Sequence, residues 1–422
     1  MLEEDLSQLI ARCRQNSDIP ISPSERSHLQ TRVEDYQREL GECDKDIGQL
    51  TTTRRAQLTR AIDCQSSLLS PIRRLPMEIM FMIFNAAVQD RTIYFSDDQT
   101  QAQTPTAPKL RGTIFPLTWV CAWWRNPLIA DGSFWYSYRI HLNDSDFISN
   151  NQSFFVTACL SRAFRCTLSI HLALLTHDDY FSPAHSSILE VILVISDRWD
   201  SFTIKLDGSL GDMRQVRSRC VLASAVPYLQ YVDVDFGEVD GINDLDDCWD
   251  AVFGTSFAEC PRLDTLHTTH LGPHDTVDLS RLTQLVTNTY DGTITSLLKR
   301  CPALRTLTVR NPDFATYDPD PEITDLLLHT NLEQILMSVW DDAEANGTWE
   351  FVRFPNLKSL AIVSIRLEDE PRNEAHATLG SSLGEFKSML MHSKCILRAV
   401  HIDDDLKEWF LDGLSTDLIN RA

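Results

Sequence analysis

The 422 residues contain no C-x-x-C pair, no glycine-rich phosphate loop, no nucleophile elbow and no kinase signature. Fifteen glycines are spread along the chain, and phosphate cradles and activated serines need glycine at fixed offsets, so no catalytic residue and no cofactor is expected. Eleven cysteines run from Cys13 to Cys395 without paired spacing, which suits thiols in a reducing compartment rather than disulfides or zinc. The longest apolar span, around Ile188–Ile195, is interrupted by Glu190 and is far shorter than the roughly 20 residues that cross a bilayer. The N-terminus, Met1-Leu2-Glu3-Glu4-Asp5, is acidic where a secretory signal is basic, and no apolar stretch follows it. These absences together predict a cytoplasmic or nuclear protein with no membrane partner.

Basic side chains are scarce, 38 against 60 acidic, for a net charge of −22. The imbalance is local: residues 1–140 hold 16 basic and 17 acidic side chains, whereas residues 141–422 hold 22 and 43, a balance of −21. Such a surface repels phosphate backbones and anionic headgroups, so no nucleic-acid partner is expected. Any target bound by the acidic part would be expected to offer basic segments. A hydrophobic fraction of 43% over this length is enough for a sizeable core and two or three domains.

Residues 1–69 read as a helical, coiled-coil arm. Ser22-Pro23-Ser24-Glu25 is a helix start, because the Ser22 hydroxyl can accept the N3 amide, Pro23 suits the first turn, and Glu25 can reach back to the cap. Positions 29, 33, 36, 40, 43, 47 and 50 are then Leu, Val, Tyr, Leu, Cys, Ile and Leu, a 4-3 spacing that lays one apolar stripe along a helix. The same register puts Arg54 and Gln57 on the stripe before Ala61, Cys64 and Leu68 restore it. Gly41 and Gly48 each cost about 1 kcal/mol of helix propensity. Coiled-coil self-association and packing back onto the chain's own body both satisfy this stripe.

Residues 70–142 form a second region. In Pro71-Ile72-Arg73-Arg74-Leu75-Pro76-Met77-Glu78-Ile79-Met80-Phe81-Met82-Ile83-Phe84, the apolar residues cover more than half of a helix circumference, so that helix must be covered on two sides. Residues 89–113 are polar and proline-bearing and read as an inserted loop. Two further short helices are expected between Phe115 and Trp135.

Pro71, Leu75, Pro76, Glu78, Ile83, Phe84, Val120, Cys121, Trp124, Arg125, Phe134 and Trp135 stand in the order of a known pattern: a proline, Leu-Pro-x-Glu, an Ile-Phe pair, Val-Cys-x-x-Trp-Arg and a closing Phe-Trp. The segment resembles an F-box, and the whole chain resembles fungal F-box proteins with a short coiled coil and a long variable repeat domain. It departs from the pattern in the long insertion 89–113 and in Phe115-Pro116-Leu117, where an acidic-leucine step is usual. The resemblance implies a non-enzymatic subunit that binds the Skp adaptor of a cullin–RING ubiquitin ligase. Leu75, Pro76, Ile79 and Ile83 are the expected adaptor contacts, with Trp124 able to reach either the partner surface or the interior, and Val120 and Trp135 expected inside.

Residues 143–422 change to short strands. A unit Leu-x-x-(Leu/Val/Ile)-x-(apolar or Thr) recurs at Leu229-Val232-Val234, Leu263-Leu266-Thr268, Leu282-Leu285-Thr287, Leu304-Leu307-Val309, Leu332-Ile335-Met337, Leu357-Leu360-Ile362 and Leu397-Val400-Ile402. The first leucines are spaced by 34, 19, 22, 28, 25 and 40 residues, near the period of leucine-rich repeats but irregular. Pro227, Pro261, Pro302 and Pro355 precede four of the units by two places and mark the approach to each strand. Thr167–Leu172 and Ser201–Leu206 extend the strand pattern, and Thr293–Arg300 and Ser382–Leu390 have helical spacing. The expected class is α/β: a helical arm and three-helix module followed by an irregular leucine-rich-repeat-like solenoid whose curved, mostly parallel sheet binds an unknown protein substrate.

His267, His270 and His274 invite a zinc reading but lack the helical i, i+4 spacing with a glutamate base, so surface histidines and no metal are expected. Asp233, Asp235, Glu238, Asp244, Asp246 and Asp247 do not complete a calcium loop and read as solvated acids. Trp199, Trp249 and Trp340 are open between core packing and exposed anchors.

Overall fold

The computed structural model describes residues 22–45, 52–96, 109–143, 150–175, 183–207, 226–237, 257–310, 326–340, 349–365 and 386–403, with Ser7, Ala11, Trp249 and Phe253 placed singly. The chain divides into two compact units, one made of Met1–Tyr94, Leu110–Ser137 and Cys159–Cys166 and the other of the remainder. The expected boundaries at 69/70 and 142/143 differ from this division: arm and helical module share one unit, which also takes in Cys159–Cys166.

In the first unit, α1 (Pro23–Lys45) begins with the Glu25 amide donating to Ser22 Oγ at 3.2 Å, so the sequence cap is used. After residues 46–51, which lie outside the described residues, α2 (Thr52–Leu69) returns alongside α1. Leu29 near the start of α1 packs with Leu68 and Leu69 at the end of α2, and Arg54 pairs with Glu39, so the two helices run antiparallel. The predicted stripe thus becomes a hairpin, with Leu58 and Ala61 buried in it.

Gln65 is fully buried in α2, and its amide oxygen and nitrogen both have no hydrogen-bond partner among the described residues. An unpaired buried amide is costly and leucine has nearly its shape, so Gln65→Leu is expected to raise stability by about 1–3 kcal/mol. A urea titration checks this: the midpoint should rise at unchanged m-value. A lower midpoint would mean that the amide is satisfied.

A 3₁₀ turn (Pro71–Arg74) leads to α3 (Met77–Ala87). Pro76 sits at its N-cap, where its missing amide costs nothing and its carbonyl accepts from the Ile79 and Met80 amides, each at 3.1 Å. The expected loop 89–113 is instead structured at both ends, with β1 (Thr92–Ser96) and β2 (Lys109–Arg111). The reason is local: Ile93 and Phe95 are buried while Thr92 and Tyr94 are half-buried, the period-two pattern of a strand inside a polar segment. Residues 97–108 lie outside the described residues.

Two short helices follow, α4 (Ile114–Val120) and α5 (Ala122–Ala130), and then a 3₁₀ turn at Gly132–Phe134 capped by Asp131 Oδ1, which accepts from the Ser133 amide at 2.9 Å. Only glycine fits at 132, since a Cβ there would lie 2.9 Å from Cys166 Sγ and 3.1 Å from the Phe164 carbonyl oxygen.

The second unit carries β3 (Ser137–Asn143), α6 (Asn150–Arg162), β4 (Leu168–Leu175), α7 (Pro183–Val194), β5 (Trp199–Asp207), β6 (Tyr231–Asp235), β7 (Thr265–Leu271), β8 (Gln284–Tyr290), α8 (Ile294–Arg300), β9 (Thr306–Val309), β10 (Leu327–Leu328), β11 (Gln334–Trp340), β12 (Val352–Arg353), β13 (Ser359–Ile365) and β14 (Ala399–Ile402). One twelve-stranded sheet has the order β14-β13-β11-β9-β8-β7-β6-β5-β4-β3-β1-β2, and β10 pairs with β12 apart from it. The unit divisions fall within β1, β2, β3 and α6, whose last turn, Cys159–Arg162, belongs to the first unit. Every pairing from β4 to β14 is parallel, so the chain is a mixed α/β protein with a large, mostly parallel sheet.

The recurring unit explains the register. Val232, Leu266, Leu285, Leu307, Ile335, Leu360 and Val400 stand opposite one another across successive strands. All but the half-buried Val400, on the terminal strand, are buried. Alternation sends these residues and the next row, Val234 to Ile402, to one face, which is how a parallel sheet seals a core.

Four of the strands are approached by a tight turn in which the first leucine's amide bonds the carbonyl three residues back: Leu229 to Val226, Leu263 to Cys260, Leu304 to Cys301 and Leu357 to Phe354. Pro227, Pro261, Pro302 and Pro355 occupy the second position of those turns, where a fixed φ near −65° is favourable. α8 forms where predicted and is capped by Thr293 Oγ1, which accepts from the Ser296 amide at 3.1 Å. Residues 386–393 are helical, while the beginning of the other predicted helix, 382–385, lies outside the described residues. Trp199 and Trp249 are core residues, and the side chain of Trp340 lies outside the described residues.

Candidate functional site

α3 is apolar around most of its circumference but buries only one stripe. Met80, Phe84 and Val88, at i, i+4 and i+8, are buried. Phe84 meets the Trp124 ring edge-on at 5.3 Å, and Phe81 stacks on the buried Phe134 at 6.4 Å. The opposite side is uncovered: Ile79 is 41%, Met82 66% and Ile83 37% exposed. Pro76, Ile79 and Ile83 fall on one side by their i, i+3, i+7 spacing, Pro76 is exposed and Leu75 is half-buried before them. Trp124 is half-buried, held against Phe84.

The end of α4 leaves further apolar surface in the same unit. Ile114, Phe115 and Thr118 are buried, and the Arg125 Nε donates to the Thr118 carbonyl at 2.8 Å, which fixes the turn into α5. Trp119 is then 71% exposed and Val120 58%. Val120 was expected inside; it is outside because α4 ends there and buries the preceding turn through Phe115 and Thr118 instead. Trp135 is inside as expected, its Nε1 donating to the Leu128 carbonyl at 2.6 Å and its ring lying 4.6 Å from the Arg162 guanidinium. Sequence reading missed Met82 and Trp119 as surface residues; for Met82 the signal is its i+3 spacing from Ile79.

Single exposed apolar residues are ordinary, but three on one turn and a half of a short helix are a partner surface or an aggregation hazard. Burial pushes the Cys260 and Cys301 thiols up to about 12, the reverse of an activated nucleophile. The described residues contain no group of three or more His, Cys, Asp or Glu placed to hold a metal ion.

The histidine cluster is not a set of surface histidines. His267 and His270 lie three residues apart on β7, and alternation turns them to opposite faces. His270 is buried, with Nδ1 2.9 Å from Thr289 Oγ1 and Nε2 2.9 Å from Asp291 Oδ2. His267 is half-buried on the other face beside Tyr231, whose hydroxyl lies 3.2 Å from its Nδ1 and donates to Asp233 Oδ2 at 3.2 Å. His274 is exposed beyond the strand. Asp233 and Asp235 lie on β6, Asp235 paired with Lys205 at 3.7 Å, and residues 238–247 lie outside the described residues.

That second face of the sheet is a polar platform. Ser169, Ser201, Tyr231, Thr265, Gln284, Thr306, Gln334 and Ser359 form one cross-strand row on it. His171, in the next row on β4, is held down to about 4 by burial, with Arg139 and His141 adding to the effect. The folded protein therefore keeps this ring neutral while the unfolded chain protonates near 6.5, so its contribution to stability is present above pH 6.5 and is lost as pH falls toward 4. Because the residue is only half-buried, the loss is expected to be about 1–2 kcal/mol rather than the full shift. Urea midpoints at pH 7.5 and 4.5 check it: His171→Gln should lose less than wild type on acidification, and equal losses would show that the ring titrates normally.

Among the described residues no helix is long and apolar enough to cross a membrane. No known family model matches the chain, and no curated protein matches it significantly.

Proposed function

We propose that the chain is the substrate-recognition subunit of an SCF-type cullin–RING ubiquitin ligase. The α3 flank, Leu75, Pro76, Ile79 and Ile83 with Trp124 behind it, docks the Skp adaptor, and the repeat sheet, as an irregular leucine-rich-repeat-like solenoid, holds a protein substrate. The observation that carries this reading is the uncovered stripe Ile79, Met82 and Ile83 on a helix whose other stripe is sealed, within the segment that resembles an F-box. Holding a target beside a ubiquitin-charged enzyme raises its effective concentration, so the receptor needs no chemistry of its own. The buried, unreactive thiols of the repeat sheet are compatible with that role.

The test is adaptor capture. Ile79→Asp/Ile83→Asp places charge on side chains already exposed, so the fold should persist with an unchanged far-UV circular dichroism spectrum. Loss of adaptor is expected at about 100-fold or more in affinity, since an unpaired charge in an apolar interface costs several kcal/mol. Adaptor held equally by wild type and variant would sink the proposed contact. No adaptor retained by wild type would leave a coiled-coil and repeat scaffold without a ubiquitin role.

A further inference from the structure

The residues that immediately precede the strands carry a charge pattern that the overall acidity hides. Arg305, Glu333, Lys358 and Arg398 stand before β9, β11, β13 and β14 and are joined directly: the Glu333 amide donates to the Arg305 carbonyl at 2.9 Å, Lys358 to Glu333 at 2.8 Å and Arg398 to Lys358 at 2.7 Å. With strands about 4.8 Å apart, the four rungs span about 14 Å. Glu333 is already matched, its Oε2 2.8 Å from Lys358 Nζ. That hydrogen bond above all, with Arg305 and Arg398 nearby, holds its carboxyl below the usual carboxylate range. The side chains of Arg305 and Arg398 are exposed and form no ion pair or hydrogen bond among the described residues.

The acidic residues are concentrated elsewhere in the sequence. The segments that continue from the trailing ends of β6, β9 and β11, residues 238–248, 311–325 and 341–345, contain 13 Asp and Glu and no Lys or Arg. The leading edge of these four strands carries three basic side chains to one acid, a local excess of positive charge on a protein of net charge −22.

We propose that the leading edge of β9, β11, β13 and β14 binds a polypeptide segment rich in carboxylates, with Arg305 and Arg398 as its free guanidinium forks and Lys358 between them. An extended chain advances about 3.4 Å per residue, so the segment needs its acidic side chains within about five residues. This inference rests on the reading of the repeat sheet as the substrate-binding part, and it specifies a substrate class opposite to the basic segments that net charge alone suggests.

Fluorescence anisotropy with the full-length chain and a labelled hexaglutamate peptide, against hexaglutamine, tests it. Wild type should bind hexaglutamate and not hexaglutamine, more weakly as salt rises. Arg305→Ala/Arg398→Ala should weaken it by about 10-fold or more, and Arg305→Lys/Arg398→Lys should restore most of the loss. Binding absent in wild type, or unchanged in the alanine variant, overturns the proposal. So does a duplex oligonucleotide bound as tightly with the same arginine dependence, which would mark a general polyanion surface. Adaptor capture keeps the two proposals apart: Arg305→Ala/Arg398→Ala should retain the adaptor, and Ile79→Asp/Ile83→Asp should retain hexaglutamate.

Discussion

Replacing Trp135 with alanine is expected to cost the helical unit about 3–5 kcal/mol. The indole is fully buried, meets Phe115 edge-on at 6.0 Å, lies under the Arg162 guanidinium at 4.6 Å and donates its N–H to the Leu128 carbonyl at 2.6 Å. Alanine removes the ring, leaves a cavity beside Phe115 and strands a buried carbonyl at the end of α5. Trp135→Phe separates these effects, since it keeps most of the ring but loses the hydrogen bond, and should cost about 1–3 kcal/mol. Because two compact units need not unfold together, amide exchange of α3 and α5 is the proper readout. Protection there should collapse in Trp135→Ala while β7–β9 remain protected. A loss of less than about 1 kcal/mol would mean that Trp135 does not hold the helical unit together.

Much of the repeat sheet was legible because its signals are redundant. Leu266, the alternation around it and Pro261 of its approach turn all specify the same strand position, and neighbouring copies repeat the message. The Ser22 cap and the helix before Cys301 were legible for the same reason: a capping hydroxyl and an apolar period agree. The arm was less so. An apolar stripe states which side of a helix is covered but not what covers it, and only Leu29 meeting Leu68 reveals the return of α2 along α1. β1 was hidden because Ile93 and Phe95 lie beside a polar stretch whose composition dominated the reading. Val120 was placed inside by resemblance, whereas its exposure depends on where α4 stops, a boundary that composition sets poorly. On the exposed flank of α3, the i, i+4 pair Ile79 and Ile83 was readable, but whether the rest of the chain covers it was a tertiary question that no period answers.

Leu285→Ala should destabilise the repeat sheet by about 2–5 kcal/mol, while Val286→Ala, one residue along, should cost under about 1 kcal/mol. Leu285 is fully buried between Leu266 and Leu307 in the central rungs, so its removal opens a cavity that two neighbouring strands share. Val286 faces the polar platform and is half-buried. Position along the sheet adds a second contrast. Each strand packs chiefly on its neighbours, and Val400 occupies the same row on β14 but, among the described residues, has a partner strand on one side only and is half-buried, so Val400→Ala should cost less than Leu285→Ala. Urea titration followed by amide exchange of β7–β9 measures all three. Comparable losses at 285 and 286 would mean that β8 is paired one residue out of the register described above, because a single-residue slip exchanges the two faces of a strand and would carry the whole row from Val232 to Val400 with it.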